Sequence, residues 1–224
     1  MESTKTEPDL PIILEDDHLL IIDKPHGVLS QEDHTGDPDV HTLCRQYINR
    51  SSGSNYLGLL HRLDRPVGGL MMLAKTPQAA QEISRQLRDR LIQKTYYAVV
   101  EGQPPGNGLL THYLLKKNEP NVVETVSEES GKGKEAVLSF TKKEQKRNLA
   151  LLVVHLHTGR THQIRVQLSA EGYPIWGDYK YGRSQPDGRT IALRSVELIF
   201  NHPASDEEVH IELPNLSTEP WNKF

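Results

Sequence analysis

HRLDRPVGGLMMLAKTP, residues 61 to 77, runs from a charged loop into an apolar strand and on to a helix start. Leu70 to Ala74 is an unbroken apolar run of strand length, so it reads as a strand buried on both faces. Thr76 and Pro77 follow as a helix-start pair, a capping hydroxyl and then the residue tolerated at the first helical position. Ala80, Ile83, Leu87 and Leu91 continue one apolar face beyond them. The loop holds Asp64 between Arg62 and Arg65. A guanidinium within a few ångströms favours an ionised carboxylate, which makes Asp64 a candidate base or nucleophile. The same pattern is also the ordinary mark of a structural ion pair, so the rest of the chain has to decide.

Outward from this stretch the pattern is continuous. Ile12 to Leu14 and Leu19 to Ile22 read as short strands joined at Glu15-Asp16-Asp17, followed by the loop Lys24 to Gly27. Val40, Leu43, Cys44, Tyr47 and Ile48 recur at helical spacing behind Asp39, a predicted N-cap. From Tyr96 onward, strand-like runs alternate with turns: Tyr96–Val100, 109–115, 122–126, 136–140 and Leu149–Leu156. Thr161 is placed to cap a helix reaching about Glu171 and closed by Gly172, and strands at 191–200 and 209–213 complete the series. Residues 127–135 contain no large apolar side chain and two glycines, and are expected to form a mobile hairpin tip. The expected class is α+β: a mixed, largely antiparallel sheet with a few helices and one central cleft. The expected organisation is a loose leader at 1–9, one domain of two subdomains at 10–213, and a tail at 214–224.

Composition bounds the function. A chain of 224 residues can bury a core without disulfides, and the single cysteine, Cys44, can neither form an internal disulfide nor build a zinc cluster. A reducing, cytosolic setting is expected, with no signal peptide or membrane span in the apolar pattern. The net charge of −4 argues against wholesale nucleic-acid binding, so any RNA contact must come from a local patch. Two segments offer one: Arg85, Arg88, Arg90 and Lys94, and then Lys132, Lys134, Lys142, Lys143, Lys146 and Arg147. Each also fits a solvated face.

Two further stretches carry chemistry. HLHTGRTHQIRVQL, residues 155 to 168, holds three histidines and two arginines around a strand-to-helix turn. His155, His157 and His162 can be read as metal ligands, but no acidic residue inside the motif completes an outer shell. The turn Thr158-Gly159-Arg160-Thr161 suits an anion better, because free N–H groups at a helix start favour a phosphate. Arg160, Thr161 and His162 are therefore candidate RNA phosphate contacts, and Arg165, one turn further on, can aim a planar fork at a carboxylate. In KTYYAVVEG, residues 94 to 102, Tyr96 and Tyr97 must point to opposite faces of a strand, so one can stack on a base.

Taken in order, HRLDRPVGGLMMLAKT, KTYYAVVEG, HTGRTHQIRVQL, GYPIWGDYKYG from Gly172 and IALRSVELIFNHP from Ile191 resemble the motifs of the RluA-type pseudouridine synthases. The opening IILEDDHLLIIDKPHGVLS looks like the start of that catalytic domain. The resemblance implies a catalytic fold with the cleft across a mixed sheet, and isomerisation of uridine to pseudouridine in structured RNA, transfer or ribosomal, without cofactor or metal. It implies that Asp64 is catalytic, that Tyr96 stacks on the uracil, that Arg165 pairs with Asp64, and that Arg62 holds the place or phosphate of the flipped nucleotide. These residues fit base extraction and glycosidic cleavage by an ionised carboxylate. Val67-Gly68-Gly69 departs from the Thr-Ser-Gly of many members, removing a hydroxyl near the site. With only about ten residues before the first strand, the small N-terminal RNA-binding module of many relatives is expected to be missing. A monomer suffices. The competing readings are an RNA-binding protein or chaperone with the same fold and no turnover, and a nucleoside or glycoside hydrolase, which would need a second, protonated carboxylate.

Overall fold

The computed structural model describes residues 10–52, 56–117, 122–182, 191–214 and 221–224. Its centre is an eleven-stranded sheet in the order β1-β2-β4-β10-β5-β9-β8-β6-β7, with β3 added on β4 and β11 on β10. The strands are β1 (Ile12–Glu15), β2 (Leu19–Lys24), β3 (Gly58–Leu59), β4 (Gly68–Ala74), β5 (Gln93–Glu101), β6 (Asn107–Lys116), β7 (Val123–Val126), β8 (Lys134–Lys146), β9 (Leu149–Leu156), β10 (Leu193–Asn201) and β11 (Glu208–Glu212). Three α-helices join them among the described residues: α1 (Val40–Ser52), α2 (Pro77–Arg88) and α3 (Gln163–Ala170). Every neighbouring pair is antiparallel except β4 and β10, which run parallel through Gly68 and Gly69. The sheet is thus mixed and largely antiparallel, as the sequence implies.

The apolar runs of β2 and β4 are explained by cover on both faces. Leu20, Ile22, Met71 and Leu73 pack with Val40, Cys44 and Ile48 of α1, while Leu19, Ile21, Leu70, Met72 and Ala74 pack with Ala79 and Ile83 of α2. Alternation along a strand sends successive side chains to opposite faces, so a strand covered twice must be apolar throughout. Each such side chain stabilises the fold by about 1.5–3 kcal/mol relative to exposure. Both expected caps form: Asp39 Oδ1 accepts from the Thr42 amide at 2.9 Å, and Thr76 Oγ1 from Ala79 at 3.1 Å.

The buried stripe of α2 is rotated from the expected one, because it runs through Ala79, Ile83 and Gln86, and Leu91 lies exposed beyond the helix end. Gln86 is tolerated there since its amide exchanges hydrogen bonds with the backbone of Asn201 at 2.9 and 3.1 Å.

A second correction concerns α3. Thr161 does not cap it; His162 occupies the N-cap in the left-handed region at φ 55°, and Gln163 folds its own side chain back to accept from the Arg160 amide at 2.9 Å. The helix is buried from Gln163 to Leu168, and Gln167 is accommodated by donating to the Leu110 and Ala136 carbonyls. Of the expected tail, Trp221 is buried in the core, whereas residues 1–9 and 215–220 lie outside the described residues. The 127–135 segment is a short 3-10 turn at 128–130 that leads into β8.

Candidate active site

The Asp64 loop is fastened to the loop after β2. Ser30 Oγ donates to the Leu63 carbonyl at 2.6 Å and accepts from the Leu63 amide at 3.1 Å. Gly27 and Arg65 exchange two hydrogen bonds, and His26 Nδ1 lies 2.9 Å from the Pro66 carbonyl. Beneath them Lys24 is fully buried, its ammonium donating to the carbonyls of Pro25, Val28 and Arg65 at 2.9, 2.6 and 3.2 Å. Burial pushes Lys24 down to about 7, against the opposing charge of Asp64. Three carbonyls match the three protons of an ammonium, so this lysine pins the loop from below. His61, at the start of the loop, is pushed by burial down to about 3 and accepts the Met72 amide at 3.1 Å as a neutral ring.

Neither flanking arginine pairs with Asp64. Arg65 turns away to Asp37 at 2.7 Å, and Arg62 is exposed, with no hydrogen bond or ion pair among the described residues. The partner is Arg165, brought by α3 from 101 positions along the chain, whose Nη1 lies 2.9 Å from Asp64 Oδ2. The other two nitrogens of Arg165 form a fork on Asp178, Nε to Oδ2 at 2.7 Å and Nη2 to Oδ1 at 2.8 Å. Burial raises Asp178, but the hydrogen bonds and charge of Arg165 outweigh it and hold the carboxyl below its ordinary range. Arg165 is likewise penalised by burial and still held above its ordinary value by Asp178 and Asp64. The guanidinium therefore stays charged with all three nitrogens committed, a preorganised mount for the Asp64 carboxylate.

Tyr96 projects from β5 near Asp64, and burial pushes its phenol up to about 12, with Ser195 opposing and Asp64 reinforcing the shift. Ser195 on β10 lies opposite Tyr96 in the strand register and is fully buried. Tyr97 takes the other face, with Lys143 Nζ 5.1 Å from its ring centre. The opposite-face expectation for the two tyrosines holds, but Tyr96 is almost wholly covered, so only a small part of its ring is open to stacking.

The HTGRTH turn lies beside this centre. His162 Nε2 is 3.8 Å from Asp64 Oδ2, and its Nδ1 is 2.7 Å from the Tyr181 hydroxyl. Arg160 and Thr161 are exposed, and Arg160 has committed Nε to the Glu135 carbonyl at 2.9 Å. The three histidines of the motif have separate partners: His155 meets Thr95, His157 meets Ser139, and His162 meets Tyr181. Among the described residues, the one group spaced to hold a metal ion is Glu197, His210 and Glu212, on β10 and β11. The basic segments are largely engaged on the surface. Arg85 pairs with Glu82 and Asp89, Lys146 pairs with Glu144, and Lys142 donates to the Pro104 carbonyl.

Sequence reasoning missed Asp178 and Tyr181, although both lie in the quoted GDYKYG segment. Tyr181 sits under the Arg165 guanidinium, 5.1 Å from ring centre to carbon, and its amide donates to Asp178. The available signal was an acid and an aromatic in a short glycine-bounded turn.

A two-sided sheet, a loop-borne carboxylate and a buried arginine that mounts it define a carboxylate-centred enzyme site, and comparison with known proteins gives the family. The model for RNA pseudouridylate synthase matches residues 18–170. A ribosomal large subunit pseudouridine synthase D of Nitrosomonas europaea is 34% identical over 222 residues, covering 92% of this chain and 62% of its own. Its namesake in Zymomonas mobilis is 31% identical over 217 residues, covering 91% and 68%. The chain thus spans about two thirds of the length of these relatives. The solved structure titled human RNA pseudouridylate synthase domain containing 4 shares the fold, with TM-score 0.76, 23% identity, and coverage of 91% of this chain and 88% of that one. The chain belongs to the RNA pseudouridylate synthase family.

Proposed function

We propose that this chain isomerises uridine to pseudouridine within structured RNA, with Asp64 as the catalytic residue. The observation that carries this reading is the one-sided hold on the carboxylate: Arg165 and His162 both approach Oδ2, and Oδ1 has no partner among the described residues. A charged oxygen left free beside a tyrosine suits attack on a flipped nucleotide's ribose, whether at the anomeric carbon or at the adjacent proton. The uracil then turns and rejoins through carbon, with no net oxidation and no group supplied from outside. Arg62, exposed at the loop rim, is placed to fill the space or hold the phosphate of the extruded nucleotide, and Arg160 and Thr161 offer further phosphate contacts. The family relatives are named for the large ribosomal subunit, so ribosomal RNA is the first substrate to test and transfer RNA the second.

A two-carboxylate hydrolase is disfavoured by the same geometry. The second carboxylate of the site, Asp178, is fully buried and held ionised by Arg165, so it cannot serve as the proton donor such chemistry needs. Mapping pseudouridine through total RNA from cells with and without the gene tests the proposal, and at least one site is expected to vanish without it. Asp64→Asn should abolish product formation while RNA affinity stays within about threefold, since the carboxylate acts on the reaction and not on docking. Full turnover by that variant would refute the assignment.

A further inference from the structure

His162 combines three features that an incidental surface histidine lacks. It holds a left-handed backbone at φ 55°, which non-glycine residues adopt seldom and which clusters at functional sites. Its side chain is only 10% exposed. Its two nitrogens face two different site residues, Tyr181 and Asp64.

The hydrogen bonds define which nitrogen carries the proton. The Val123 amide, which can only donate, gives its hydrogen to the Tyr181 hydroxyl at 3.0 Å. With the amide on its oxygen, the hydroxyl is best placed to give its own proton to His162 Nδ1, 2.7 Å away. An imidazole that accepts at Nδ1 carries its hydrogen at Nε2, the nitrogen aimed at Asp64 Oδ2. Burial lowers His162 from its ordinary value in spite of Asp64, so the ring is neutral at pH 7. Tyr181 is itself immobilised, with its carbonyl accepting from Ser169 at 2.6 Å, its amide donating to Asp178 and its ring under Arg165. The contacts form a closed circuit from Asp64 through Arg165, Asp178, Tyr181 and His162 back to Asp64.

We propose that His162 is a positioning residue for Asp64: Tyr181 sets its tautomer, and its Nε2–H joins Arg165 in confining Oδ2, so that Oδ1 alone is presented to the ribose. The 3.8 Å gap closes when RNA fills the cleft, as catalytic contacts commonly tighten in the substrate complex. This inference rests on the isomerase reading, and it assigns His162 a contact to the carboxylate in place of one to RNA phosphate.

The test uses the full chain with His162→Leu, His162→Gln and Tyr181→Phe, measuring the single-turnover rate at saturating RNA and RNA affinity separately. The leucine variant should slow the chemical step about 10–100-fold, the usual effect of losing an outer-sphere partner, with affinity within about threefold. Glutamine, which restores an N–H near the Nε2 position, should recover most of the rate, and Tyr181→Phe should fall between the two. A leucine variant with the parental rate and weakened RNA binding would overturn the proposal in favour of a phosphate contact, and failure of glutamine to rescue would reduce His162 to packing. Nitrogen-15 NMR of the imidazoles in the RNA-free protein provides a readout that does not depend on turnover. The Nε2–H tautomer is expected, and finding the hydrogen on Nδ1 would sink the inference even if the enzyme modifies RNA. A parental protein that modifies no RNA, yet shows the Nε2–H tautomer, would count against the isomerase reading alone.

Discussion

Two arginine–aspartate pairs, each at least half-buried, flank the segment from Asp64 to Gly68 and are built differently. At one end Arg165 commits all three nitrogens, two to Asp178 and one to Asp64, and both carboxylates are held by geometry that matches a planar fork. At the other end Arg194 on β10 meets Asp23 on β2 through one nitrogen, while Arg194 Nε and Asp23 Oδ1 stay buried without a partner among the described residues. Gly68 lies beside this second pair, since a Cβ there would stand 2.7 Å from the His26 ring and 3.1 Å from Arg194 Nη1. Around Asp64 the arginine is fully used, and it holds the carboxylate by one oxygen. The pair around Asp23 is a clamp between strands with unmet hydrogen-bonding capacity, and unmet buried capacity costs stability.

The largest expected effect comes from removing the fully used arginine. Arg165→Met leaves Asp178 buried and unpaired, which should cost about 3–5 kcal/mol in chemical denaturation. It should also lower the single-turnover rate at least about a hundredfold, because Asp64 loses its mount. If rate and stability both stayed near the parental values, the contrast between the two pairs would collapse.

Asp178→Asn probes the same network more gently, and we expect a loss of about 1.5–3 kcal/mol, the scale of a hydrogen bond to a charged group. Its pH dependence has a defined sign. Asp178 titrates below its ordinary value in the folded chain, so its stabilisation is complete above the unfolded value near 4 and fades as pH drops through the folded one. The stability gap between the parental protein and Asp178→Asn should therefore be constant above about pH 5 and narrow below about pH 4. A gap that widened in acid would contradict the ionised, arginine-held state.

The smallest net effect is expected at the clamp, read as a double-mutant cycle. Arg194→Met alone should destabilise by about 1–3 kcal/mol, because it strands Asp23. Combined with Asp23→Leu, the loss should shrink to within about 1 kcal/mol or turn into a gain, as when buried ion pairs are replaced by apolar groups. A strictly additive cycle would show that the clamp contributes no pairwise interaction.

These distinctions explain what could be read from residues alone. The run Leu70–Ala74 and the caps at Asp39 and Thr76 were legible because each depends on neighbours within a turn or on simple alternation. The charge partner of Asp64 was not, since Arg62 and Arg65 adjoin it in the chain yet point elsewhere, and Arg165 was assigned through family resemblance. Asp178 was hidden for the same reason: its importance lies in a contact with an arginine on another element. At α3, Thr161 offered the better capping chemistry on paper. The fold instead uses a left-handed His162, a choice that makes sense only with Tyr181 and Asp64 in place. Gln86 is buried for a similar reason, since its partners come from the end of β10.

The strand that joins the two halves of the sheet also sets when they can meet. Among the described residues β10 is the sole link between β4 and β5 in the strand order, and it begins at Leu193. In order of synthesis, the β1-β2-β4 portion and the β5-to-β9 portion both precede it, each with an edge where β10 will later lie. The hinge of the book arrives after both leaves. A nascent chain that stalls before this strand has left the exit tunnel carries Asp64 and Arg165 without the spine that aligns their leaves. Alignment of Asp64 with Arg165 thereby waits on a strand translated after both of them.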